Sequence, residues 1–158
     1  MRRSRAKSAI EKLHAAKQPH VVSPIPPGFP GANQADSMVV STPLEIDGLI
    51  RSIPPGKLIT LALLRSQLAR RHQTDIACPV STAIFINVAA FAAEEYRAQG
   101  EQQVTPYWRV LRNGGKLNPK YPGGVAAQQA LLEAEGFMVV QQGRELVVSE
   151  YQQHLLAV

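Results

Sequence analysis

The stretch Thr105–Gly136 reads TPYWRVLRNGGKLNPKYPGGVAAQQALLEAEG. Its first twenty residues hold the chain's one tryptophan, two of its four tyrosines, four of its eleven glycines and four cations, Arg109, Arg112, Lys116 and Lys120. Glycine and proline at that density break helices, and the aromatic content is too high for an ordinary solvated loop. The remainder, VAAQQALLEAEG, has helical composition and ends on the stop signal Gly136. An aromatic, cationic loop therefore leads into a helix.

On the N-terminal side of this loop, two helices carry their own start signals. Thr60 caps TLALLRSQLARRH, with Leu61, Leu64 and Leu68 on one face. After the connector QTDIACP, Ser81 or Thr82 caps STAIFINVAAFAAEEYRAQG, which is apolar almost all round until Glu94 and predicts the buried centre of the domain. A shorter helix begins at Thr42, with Glu45 at its third position, and ends before Pro54-Pro55-Gly56. On the C-terminal side, FMVVQQGRELVVSEY alternates about a turn and predicts a β-hairpin. Residues 6–17 have helical propensity, whereas Pro19, Pro24, Pro26, Pro27, Pro30 and Pro43 deny residues 18–43 regular structure. The expected organisation is a basic arm (1–22), a Pro/Gly-rich linker (23–43), a folded domain (44–137) and a C-terminal hairpin and tail (138–158). The fold class is mainly α, a helix-turn-helix or winged-helix-like domain with a small hairpin behind a Pro-rich extension.

The 158 residues suit one domain with extensions. A single cysteine, Cys78, excludes an intramolecular disulfide, and next to an apolar helix it reads as a packed, inert thiol. No apolar run approaches the ~20 residues that span a bilayer, and the N-terminus lacks the apolar core of a signal peptide, so a cytoplasmic protein without membrane contact is expected. The net charge of +5 is localised: residues 1–22 carry six cations against Glu11 alone, and the remainder carries eleven basic and eleven acidic residues. Such an arm either grips phosphates through a salt-dependent term or is simply solvated. His14, His20, His72 and His154 show no metal-ligand spacing, and no cofactor motif is present.

The order of features from Ile53 to Gly136 resembles the DNA-binding domain of the O6-alkylguanine-DNA alkyltransferases. In that family an IPxG entry precedes the first helix, and a reactive PCHRV segment precedes GxLxxYxGGxxxKxxLLxxEG. Ile53-Pro54-Pro55-Gly56 matches the entry, Pro106-Tyr107-Trp108-Arg109-Val110 stands at PCHRV, and Gly115, Leu117, Tyr121, Gly123-Gly124 and Leu131–Gly136 follow with about one extra residue near Lys120. The resemblance covers about half of the chain and is specific in its second half.

The departures define the expected chemistry. The family's cysteine accepts the alkyl group as a thiolate, and a histidine oriented by a carboxylate removes its proton. Here Tyr107 replaces the cysteine and Trp108 the histidine, and only Glu135 of the relay remains. A phenol with an ordinary pKa of ~10 is a poor nucleophile and indole has no basic nitrogen, so alkyl transfer by that mechanism is excluded. The pattern is similar to the alkyltransferase-like proteins, which bind alkylated guanine in duplex DNA without repairing it and hand the site to a repair partner, and to a subgroup of them with PYWR and a Pro-rich extension. The resemblance implies a base pocket from Tyr107, Trp108, Arg109, Tyr121, Gly123, Gly124 and Glu135, with the glycine pair permitting close backbone approach. It also implies DNA contacts from Ser81 and Thr82, with Arg65, Arg109, Arg112, Lys116 and Lys120 supplying charge. Relatives place an arginine near Thr82 and a tyrosine at Leu61 to turn out the nucleotide; neither is present. A second reading follows from that loss: an interaction module that keeps the frame without the DNA site. For Arg109 and Trp108 an internal structural role competes with a ligand-facing one.

Overall fold

The computed structural model describes residues 6–32 and 34–157; Arg2, Arg3 and Arg5 of the expected arm lie outside them. The fold is mixed, with helices dominant and three small sheets. Helix α1 (Ala9–Leu13) is shorter than the 6–17 propensity window and is capped by Ser8, whose hydroxyl accepts from the Glu11 amide. Strands β1 (His20–Val22) and β2 (Met38–Val40) then pair antiparallel, His20 opposite Val40.

Those two strands correct the expectation that residues 18–43 lack regular structure. None of the prolines falls within a strand: Pro19 precedes β1, Pro24, Pro26, Pro27 and Pro30 lie between the strands, and Pro43 follows β2. The short runs HVV and MVV are β-branched and apolar, and the ladder is completed from a distance: β2 pairs in parallel with β4 (Ile76–Ala77). Val39 of β2 is fully buried in the core.

Helix α2 (Pro43–Arg51) starts as its sequence requires. The Thr42 hydroxyl accepts from the Glu45 amide, and Pro43 takes the first helical position, where its missing N–H costs nothing. Strand β3 (Ile59–Thr60) runs directly into α3 (Leu61–His72), where Thr60 caps the Leu63 amide. Ile46, Ile50, Leu64 and Leu68 are inaccessible to solvent, as their helical spacing predicts.

Helix α4 (Pro79–Ala98) departs from its reading in two ways. It begins at Pro79 rather than at Ser81 or Thr82, and no side chain caps it; the Thr82 hydroxyl instead donates back to the Cys78 carbonyl at 2.6 Å. Nor is it buried all round. Ile86, Ala89, Ala90 and Ala93 face the main core, but Val80, Ile84 and Phe91 lie open, Ile84 being 54% exposed. Cys78 is buried and unpaired.

A single 3-10 turn (Tyr107–Arg109) leads into β5 (Val110–Leu111), which pairs in parallel with β3, Ile59 opposite Val110. The aromatic loop is thereby tied to the start of α3. Helix α5 (Gly124–Ala134) follows, and the hairpin β6 (Val139–Gln142) with β7 (Glu145–Val148) closes the fold with Val139 opposite Val148, as its alternation predicts. A second, smaller core joins Leu111, Leu117, Leu132, Phe137 and Val148, and Trp108 packs against both cores. Gly115 shows why the loop needs glycine: its φ is +78°, and an added Cβ would come within 2.3 Å of the Tyr151 ring.

Candidate nucleic-acid interface

The segment Tyr107-Trp108-Arg109 is a hydrogen-bonded hub at the seam of the two cores. Tyr107 is 1% exposed; its hydroxyl donates to Glu94 Oε1 at 2.9 Å, and its ring meets Trp108 and Tyr121 edge-on at 5.4 and 5.2 Å. Burial pushes the Tyr107 phenol well above its ordinary pKa, and the hydrogen bond and negative charge of Glu94 push the same way against a smaller opposing effect of Arg97. A phenol so placed stays protonated and faces a carboxylate, the reverse of an activated nucleophile.

Glu135 ties the hub together. One carboxylate accepts from the Trp108 indole, from Arg109 Nε at 2.9 Å and from the Gly56 amide at 3.3 Å. Arg109 Nη1 donates to the Ile53 carbonyl at 2.6 Å, so the guanidinium joins the IPPG entry to the end of α5. Arg97 and Arg109 also lie over the indole, 5.8 and 5.7 Å from its centroid. Of the two readings of Arg109, the geometry realises the internal one.

Three partners here escaped the sequence reading. Gln128, 1% exposed, donates to the Trp108 carbonyl and accepts from the Asn118 amide. Glu94 receives Tyr107, and Asp47 accepts from Thr105 at 2.7 Å, fixing the start of the loop to α2. Each is a polar residue on a helix whose loop partner lies ten or more residues away. No local signal distinguishes them from solvated positions.

The expected pocket residues do not line one cavity. Tyr121 floors a cleft of about 370 Å³ with Leu61, Ile84, Asn87, Arg112 and Lys120. Tyr107 and Gly123 border a second, open depression with Glu94 and Arg97, while Trp108 and Arg109 border a third beside Pro54 and Pro55. The Tyr121 hydroxyl donates to the Val110 carbonyl at 2.9 Å, and burial raises its pKa too. Gly123 and Gly124 both have positive φ, +76° and +70°, at the start of α5, and a Cβ on Gly123 would come within 2.6 Å of the Ala127 side chain.

The expected DNA contacts separate into outward and inward groups. Lys120 is exposed, and Arg112 is half-buried at the same cleft, where it donates to the Leu117 carbonyl and pairs with Glu145. The hydrogen bond from Arg112 holds the Glu145 carboxyl below its usual range against an opposing effect of burial, helped by the charges of Arg112 and Lys116. Lys116 lies between Arg112 and the hairpin, bridged to Val147. Thr82 is 1% exposed, and the Ser81 hydroxyl is buried with no protein partner among the described residues. Arg65 turns inward, its guanidinium donating twice to the Ala77 carbonyl at 3.1 Å. Ser81 and Thr82 sit in the first turn of α4, which begins at Pro79, and β4 offers Arg65 the Ala77 carbonyl.

No protein-family model matches the sequence, and no curated protein matches it. Among solved structures, that of S. pombe Atl1 in complex with damaged DNA containing O6-carboxymethylguanine is similar, with 16% identity, a TM-score of 0.51 and coverage of 73% of this chain and 94% of that one. S. pombe ATL in complex with DNA aligns at 17% identity and a TM-score of 0.49 over the same shares. Across nearly three quarters of its length, this chain shares the fold of S. pombe Atl1.

Proposed function

We propose that the protein is a non-catalytic, winged-helix-like binder of duplex DNA that recognises O6-alkylated guanine and flags it for a repair partner, as its resemblance to the alkyltransferase-like proteins suggests. The observation that carries the reading is the state of residue 107. The place of the acceptor thiol holds a buried phenol hydrogen-bonded to Glu94, and the place of the base holds an indole bound to Glu135, so the frame persists without its reacting atoms. The base site is the cleft between α4 and the Arg112–Tyr121 loop. It is largely apolar, of a size that suits a small ligand, and bordered by Arg112 and Lys120. A flipped base needs an apolar slot and hydrogen-bonding groups, not a nucleophile.

Fluorescence anisotropy with duplexes carrying O6-methylguanine or guanine, at low and moderate salt, tests this. Tighter binding of the lesion duplex is expected, and equal affinity for both sinks the recognition claim. Intact mass after incubation with alkylated DNA is expected to be unchanged; an alkyl adduct on Tyr107 or Cys78 contradicts the non-catalytic role. The open apolar residues Val80, Ile84 and Phe91 favour a second reading, an interaction module without a DNA site. Under that reading neither duplex binds.

A further inference from the structure

The exposed face of α4 carries no cation between Pro79 and Glu94, so phosphate attraction must come from elsewhere. The N-terminal segment is not loose beside it. Glu95 accepts the Ala9 and Ile10 amides, one on each carboxylate oxygen, at 2.9 and 3.0 Å. His14 Nε2 and the Tyr96 hydroxyl lie 2.9 Å apart, and Leu13 is 2% exposed against the core. This three-point attachment sets Lys7 and Lys12, both exposed, along a cleft of about 410 Å³ whose other wall is Ile84, Asn87, Val88 and Phe91. Ile84 and Asn87 also line the cleft that Arg112 and Lys120 border. They form a ridge with a pair of cations on each side.

We propose that the segment Lys7–Lys12, clamped by Glu95, is a built-in cationic bank that grips the DNA backbone on the side of the α4 ridge opposite Lys120, with Glu95 as its positioning residue. The occupant is duplex DNA. Two cation pairs flanking an apolar ridge complement two phosphate strands flanking a groove, and apolar side chains are tolerated against base edges there. The Glu95 charge on the same wall is occupied by the two amides it holds. This assignment rests on the DNA-binding reading above.

The test uses the full chain with labelled duplexes across a salt series, comparing the unaltered protein, Lys7→Gln/Lys12→Gln and Glu95→Ala. Each phosphate contact contributes about 0.9 to the slope of log K against log salt. The double lysine variant is therefore expected to flatten the slope by about 1.8, equally on lesion and plain duplexes. Glu95→Ala, with both lysines intact, is expected to flatten it as well and to speed tryptic cleavage after Lys12. Lesion-selective binding with unchanged slopes in both variants overturns the bank but leaves the lesion reading standing. Tighter binding by either variant also overturns it, because the arm would then cover the ridge. No duplex binding by the unaltered protein overturns both. The lysines are exposed, so the double variant reads out even where Glu95→Ala lowers stability.

Discussion

Glu135 accepts hydrogen bonds from the Trp108 indole, Arg109 and the Gly56 amide while only partly open to water. Removing the carboxylate strands a guanidinium and an indole N–H together. Glu135→Ala is therefore expected to cost about 3 kcal/mol, near the lower end of what breaking a buried ion pair costs, measured by urea unfolding. Tyr107→Cys tests the loss of chemistry directly. A thiol at residue 107 lies next to an indole, not an imidazole, and beside the Glu94 carboxylate, which disfavours a thiolate; no alkyl adduct is expected by intact mass. The two buried phenols predict a pH dependence. Their folded pKa values lie above the ordinary ~10, so both states are protonated below about pH 10 and stability is unaffected there. Above it the unfolded chain loses these protons first, and stability falls as pH rises toward the folded values. Tyr107→Phe is expected to blunt that alkaline loss in melts taken at pH 9 and 11.

At the scale of elements, α4 separates this chain from the expectation of a buried central helix. Its small residues, Ala89, Ala90 and Ala93, allow close packing on one side, and the opposite side presents Val80, Ile84 and Phe91. Hydropathy along the sequence is nearly uniform, so no polar stripe announced which face is open; the packing partners decided it. Ile84→Arg places a cation on the crest between the two clefts. Under the proposed function it is expected to tighten duplex binding and steepen the salt slope by about 0.9, the increment for one phosphate contact. The caps at Thr42 and Thr60 and the hairpin were legible because each depends on neighbours within a few residues. The start of α4 was not, because its N-cap is Cys78, which makes no capping hydrogen bond, and only Pro79 at the first position marks it.

For the molecule as a whole, the Pro-rich extension is part of the fold. Strands β1 and β2 complete a sheet with β4, and Leu13, Met38 and Val39 are buried. A chain starting at Thr42 loses those burials, each worth about 1.5–3 kcal/mol for a large apolar side chain. It is expected to melt several degrees lower than the full chain by circular dichroism, even though residues 44–137 were read as the folded domain. The local grammar of caps and turns, and the absence of a thiol and an imidazole from the PYWR segment, were determined by the sequence itself, since each depends on covalent identity or on contacts within a turn. Only the tertiary structure decided which way Thr82, Arg65 and Arg109 face, that Glu95 holds the arm against α4, and that Tyr107, Trp108 and Arg109 form a hydrogen-bonded hub. Those outcomes rest on partners tens of residues apart, whose pairing depends on the packing of the whole chain.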